Sequence, residues 1–263
     1  MLEKSKHHFE IHKTSHAEVL PGKNPGTWKL KILSGTKGIY RLAQLDDNTA
    51  RAREHFTWQS PVMLCLRARV SALELPGTWG FGFWNDPFSF SLGLGGGMRR
   101  FPALPNSAWF FFSSPQNYLS FRNDLPANGF IAQTFHSPRF PTPLLALGAM
   151  GFPALLWPWL ARKLRSSLRY IVAENSFPIN IDVTQWHNYT LEWRNDQVSF
   201  KAGNQTFDTE IVPKGPLSFV LWIDNQYASF PSSGKLSFGT LANPQPAWLE
   251  VEALKLDQQG IGS

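Results

Sequence analysis

Two aspartates stand at the ends of aromatic runs: Asp86 in "PGTWGFGFWNDPFSF" and Asp224 in "PLSFVLWIDN". A carboxylate among apolar side chains is costly to bury unless hydrogen-bonded. Each therefore caps a turn or sits in a site, where a raised pKa would suit a general acid or base. Pro87 favours the turn for Asp86, whereas Asp224 is open to both readings. His8, His12 and His16 recur at i, i+4 and could share one face of a helix, but no Cys or carboxylate completes a ligand set. A solvated terminus is the expectation there, and no metal is expected. His136, in "FHSPRF", lies in a Pro-rich stretch and could border a site. The glycines of "LGLGGGMRR", Leu92 to Arg100, match neither the phosphate-loop nor the dinucleotide spacing; a hairpin tip is expected, and no cofactor.

The elements that must hold these residues read as strands. In "HNYTLEWRNDQVSFKAGNQTFDTEIV" Tyr189, Leu191 and Trp193 alternate on one face, Asn195 and Asp196 turn the chain, and Val198, Phe200 and Ala202 follow on one face. Gly203 and Asn204 turn it again, which predicts a three-stranded antiparallel meander. "TWKLKIL" sets Trp28, Leu30 and Ile32 against two lysines, and "VMLCLRARV" alternates likewise. "PLSFVLWIDN" is apolar on both faces, as in a covered central strand, and "WLEVEALKLD" has a phase break that suits a bulge. With 263 residues, 43% hydrophobic, 21 Phe, 11 Trp, 20 Gly and 20 Pro, the chain suits one β-rich domain of many short strands over residues 1–263. Its single Cys65 offers no disulfide and is expected to pack.

"WHNYTLEWRNDQVSFKAG", Trp186 to Gly203, resembles the strand pair of laminarinase-type family 16 glucanases in the concanavalin A-like lectin/glucanase fold. "LRARVSALELPGTWGFGFW", Leu66 to Trp84, resembles the segment that leads to their Gly-x-Trp strand beside the cleft. The resemblance implies an all-β, antiparallel two-sheet jelly-roll sandwich. That family carries Glu-x-Asp-x-x-Glu on one strand, with nucleophile and acid/base on one face. The corresponding stretch here, "PNSAWFFFSSPQNYLSF", has no Asp or Glu, so the paired-carboxylate hydrolysis is not expected. Aromatic residues replace the acids.

Since one sheet of such a fold has a core face and a cleft face, the expected ligand-lining set is Trp79, Phe81, Phe83, Trp84, Asn85, Trp109, Phe111, Tyr118, His136, Trp222 and Asn225. Ser107 and Ser113 would be polar handles, and Gly80 and Gly82 would leave a bare face for a ligand. Two functions fit: a non-hydrolytic binding protein for a sugar-bearing or apolar small molecule, or an enzyme on a small hydrophobic substrate using Asp86 or Asp224, of isomerase, cyclase or lyase type.

The insertion "PTPLLALGAMGFPALLWPWLARKLRSSLRYIV", Pro141 to Val172, has no charge up to Ala161 and reads as a helix from Pro158 onward. Leu160, Leu164, Leu168 and Ile171 share one face, and Arg162, Arg165 and Arg169 the other. Packed helix or lid, contact with an anionic membrane through the arginines, and a protein interface are all open. The net charge of +6 tilts toward anionic surfaces, but basic and aromatic residues do not interleave as nucleic-acid binding requires. The first residues lack an apolar run, so a cytoplasmic location is expected, with contact at a membrane surface open.

Overall fold

The computed structural model describes residues 9–48, 51–87, 100, 102–124, 127–141 and 157–258. His8, most of the glycine stretch and residues 142–156 of the insertion lie outside them.

Short alternating segments pair into two seven-stranded antiparallel sheets. The first has the order β1 (Glu10–Lys13), β4 (Leu42–Asp46), β13 (Ser218–Asp224), β6 (Thr78–Trp84), β7 (Ser107–Ser113), β8 (Gly129–His136), β9 (Ala173–Pro178). The second runs β12 (Gln205–Thr209), β11 (Val198–Ala202), β10 (His187–Trp193), β5 (Val62–Val70), β16 (Ala247–Gln258), β3 (Trp28–Ile32), β2 (Ala17–Pro21). A hairpin of β14 (Gln226–Ser229) and β15 (Ser237–Thr240) stands apart. The expected sandwich and the meander β10–β11–β12 are both found. The phase break in β16 is a register shift between Glu252 and Lys255, with Ala253 at φ 52. The histidine stretch is not helical: His12 lies in β1 of one sheet, and the chain then turns into β2 of the other.

Between the sheets lies the core, because each strand turns one alternate set inward. Phe81, Phe83, Phe110, Phe219 and Leu221 from the first sheet meet Leu64, Tyr189, Leu191, Trp193 and Phe200 from the second. Tyr189 stands edge-on to Phe81 and Phe110, each with 5.2 Å between ring centres.

One helix, α1 (Pro158–Ile171), occupies the end of the insertion, with Pro158 in its first turn. Its orientation is rotated from the expected one, with Leu160 and Leu168 half-buried and Arg162 and Arg169 exposed. The buried residues are Ala161 and Arg165, while Leu164 and Ile171 are exposed. The reason is a set of oxygen acceptors beneath it. Arg165 Nη1 donates to the Ser120 and Phe230 carbonyls, each at 2.7 Å, and Nη2 to the Arg122 carbonyl and Asn123 Oδ1, each at 3.1 Å. A guanidinium whose two terminal nitrogens are so met can be buried, although its Nε has no partner, and it lies over the Tyr118 ring, 5.0 Å from its centre.

Candidate functional site

The register of the first sheet builds its outer face row by row. Gly80 is opposite Trp222 on one side and Phe111 on the other. One row along, Gly82 lies between Val220 and Trp109, and that row continues through Gln133 to Ser176. The next links Trp84, Ser107, Phe135 and Glu174. Trp109, Phe111, Val220, Trp222, Ile131 and Phe135 thus form a second apolar cluster, separate from the main core. The Trp84 and Trp222 rings are parallel within 7° at 6.3 Å, and Trp109 lies 5.6 Å from Trp222. The two glycines do leave room, but tryptophans fill it. A side chain at Gly80 would run into the Phe110 carbonyl and the Trp222 ring, and one at Gly82 into the Ala108 carbonyl and the Cα and Cβ of Trp109.

Loops roof this face. Leu104, Leu119, Phe121 and Ala127 pack on the cluster together with Val172, just past α1. The 120–122 turn is held from two sides. Its carbonyls accept from Arg165, while the amides of Phe121 and Arg122 and the Ser120 hydroxyl donate to the buried Glu174 carboxylate. Glu174 was not singled out in the sequence, although it is an acid on the outer face. Its oxygens are committed to this turn.

Among the aromatic candidates, Trp84, Trp109, Phe111 and Trp222 come together on the outer face. Trp79, Phe81 and Phe83 do not: they belong to the core between the sheets. Alternation put them opposite the glycines as expected, but the glycine set, not the aromatic set, faces outward. Asn85 is a clamp at the strand end, donating to the Leu104 carbonyl and accepting from the Asn106 amide. Asn225 does the same elsewhere, bonding the Ile39 and Leu241 carbonyls and the Arg41 amide. Tyr118 donates to the Arg122 carbonyl beneath α1. His136 is exposed at the end of β8, against the Val212 carbonyl.

The two aspartates do not share a cavity. Asp224 is opposite Thr78, and Asp86 lies beyond Trp84 at the other end of β6, about 20 Å of strand away. Paired-carboxylate chemistry needs roughly 5–10 Å. Asp86, at φ 48, takes part in a turn. Its carboxylate meets Arg100 and its carbonyl accepts from Arg53 at 2.7 Å. Burial pushes the Asp224 carboxyl up to about 7, against hydrogen bonds from Thr78, the Gln226 amide and Tyr40. Those bonds occupy both oxygens: Oδ1 accepts from the Thr78 hydroxyl at 2.8 Å, and Oδ2 from Tyr40 at 3.4 Å.

Sequence reasoning named Trp84 and Ser107 on this face but missed Gln133 and Ser176. Gln133 Oε1 accepts from Trp109 Nε1 at 3.1 Å, which fixes the amide and leaves Nε2 as a donor without a partner. Trp84 Nε1, Ser107 Oγ and Ser176 Oγ are likewise buried and unpartnered. A single Gln amid apolar alternation in "GFIAQTFH" was the available signal. At the β1 side of the sheet, His12 Nε2 lies 3.3 Å from Asp46. Burial works to raise the Asp46 pKa, but His12, Gln44 and the Asn48 amide together hold it below the ordinary value.

No protein-family model and no curated protein matches the chain. Solved structures similar to it include a legume lectin-like domain from Entamoeba histolytica, at 8% identity and TM-score 0.47, covering 96% of this chain and 90% of that one. A Bacteroides ovatus mixed-linkage glucan GH16 protein in complex with its product is 10% identical, TM-score 0.45, over 95% and 94%. The catalytic domain of a Thermotoga petrophila laminarinase is 8% identical, TM-score 0.41, over 90% and 82%. These are likenesses of fold; the activities belong to those proteins.

Proposed function

We propose that the outer face of the first sheet, once the loops that roof it part, binds a neutral, oxygen-rich ring, a sugar unit, without hydrolysing it. The observation that carries this is the set of buried polar atoms without partners at Trp84, Ser107, Gln133 and Ser176, interleaved with Trp109 and Trp222. A buried donor left unmet costs about 1–3 kcal/mol, so a ligand supplying acceptors there recovers that loss. The two rows span three strand spacings by one two-residue step, roughly 14 by 7 Å, the size of one or two sugar rings. Indole faces suit the apolar side of such a ring, and Gln133 and Trp84 offer N–H to its oxygens. The rows hold one acid, Glu174, already consumed by the 120–122 turn, so no carboxylate pair is left for glycosidic cleavage.

Titration calorimetry against neutral oligosaccharides tests this. Gln133→Leu and Trp84→Phe are each expected to weaken binding about tenfold, with no new reducing ends on prolonged incubation. Binding untouched by both substitutions, or release of reducing ends, overturns the reading.

The raised pKa of Asp224 favours one alternative, acid/base conversion of a small hydrophobic substrate. Turnover abolished by Asp224→Asn while binding persists would establish it.

A further inference from the structure

We propose that α1 is a membrane-surface element which seats the protein on a bilayer containing anionic lipid. The helix, PWLARKLRSSLRYI, carries four cations and no acid. One cation, Arg165, is turned into the protein, 2% exposed. The residues pointing away from the body follow at helical spacing: Trp159, Lys163, Ser166 and Tyr170. Tyr170 is 90% exposed and Trp159 55%; Trp157, just before the helix, is 60% exposed, and Leu164 and Ile171 line one flank. Arg162 and Arg169 line the other. The Lys163 ammonium sits 5.4 Å from the Trp159 ring, so cation and aromatic present together. Asp124, the acid near Arg169, is already paired with Arg122.

Exposed Trp and Tyr beside cations that form no salt bridge among the described residues suit the headgroup layer, where rings with a polar tip sit between acyl chains and water and cations meet lipid phosphate. A second copy of the chain fits less well, since a twofold contact through this surface would bring the same cations together without an acid on the helix to meet them. Fourteen residues rise only about 21 Å, and no helix among the described residues is long and apolar enough to cross a membrane. The helix therefore lies in the interface plane. It is presented rigidly, through Arg165 and through Gly234. At φ 75, Gly234 lets its loop approach the Pro158 carbonyl and the Arg162 side chain. None of this depends on the ligand face.

Flotation of the full chain with phosphatidylcholine vesicles containing about one phosphatidylserine in four tests the proposal. At low salt the protein is expected to float and its tryptophan emission to shift to the blue. Binding should fall about tenfold in pure phosphatidylcholine or at about 0.5 M salt. Trp159→Ser with Tyr170→Ser should lose binding by a similar factor at an unchanged melting temperature. Arg162→Glu with Arg169→Glu should remove the preference for the anionic lipid. Absence of flotation at low salt overturns the proposal, as does flotation insensitive to both double substitutions. So does a concentration-dependent dimer that the first pair dissolves while no lipid is bound.

Discussion

At the scale of single residues, the outer face separates groups that are satisfied from groups that are waiting. Asn85 and Asn225 spend their side-chain hydrogen bonds on the backbone around them and Asp86 pairs with Arg100, whereas Gln133 and Trp84 keep a donor free. Asp224 is satisfied but strained electrostatically. Its carboxyl is raised by burial from the usual 3.8 to about 7, and that of Asp47 to about 6. Between about pH 4 and each raised value, the folded protein holds a proton that the unfolded chain has released, so stability declines as pH rises through that window. Thermal melts at about pH 5 and about pH 8 should show the decline, of order a few kcal/mol. Asp224→Asn, whose amide can keep the bonds to Thr78 and Tyr40, should flatten the part between about pH 6 and pH 7 and leave the Asp47 part below it. A variant with the wild-type slope there would show that Asp224 is ionised in the folded protein.

Among elements, α1 shows how periodicity can identify a helix and misplace its faces. The leucine spacing gave the helix, and Pro158 its start. Which face turned inward was decided by the carbonyls of Ser120, Arg122 and Phe230 and the side-chain oxygen of Asn123, supplied by loops that no local pattern reveals. Arg165→Ala leaves those buried carbonyls unmet and should destabilise by roughly 3 kcal/mol, read by urea unfolding. Arg165→Lys should recover little of it, since an ammonium lacks the planar fork that reaches oxygens from several residues. Limited proteolysis should then cut within α1 before the sheets. In β6 the same logic applied on a smaller scale. Alternation of Gly with Phe and Trp was legible, but not that the Trp222 ring would descend onto Gly80 and the neighbouring strand close onto Gly82, with Phe81 and Phe83 turned to the core.

For the whole molecule, the sandwich was legible because antiparallel strands with one covered face advertise themselves in alternation. The pairs β10–β11 and β11–β12 could be read in register from turn residues alone. The order of strands across each sheet was not legible, since it rests on partners far apart in the chain. Chief among these is β16, which pairs with β5 on one side and β3 on the other. A chain ending after residue 246 should therefore fail to give a cooperative melt and should be degraded by protease without a stable fragment; a protected fragment would show that half of the second sheet holds alone. Translation makes the same point in time. β3 and β5 leave the ribosome long before β16 and carry open edges until it is synthesised, so the nascent protein stays dependent on protection from aggregation over that whole interval.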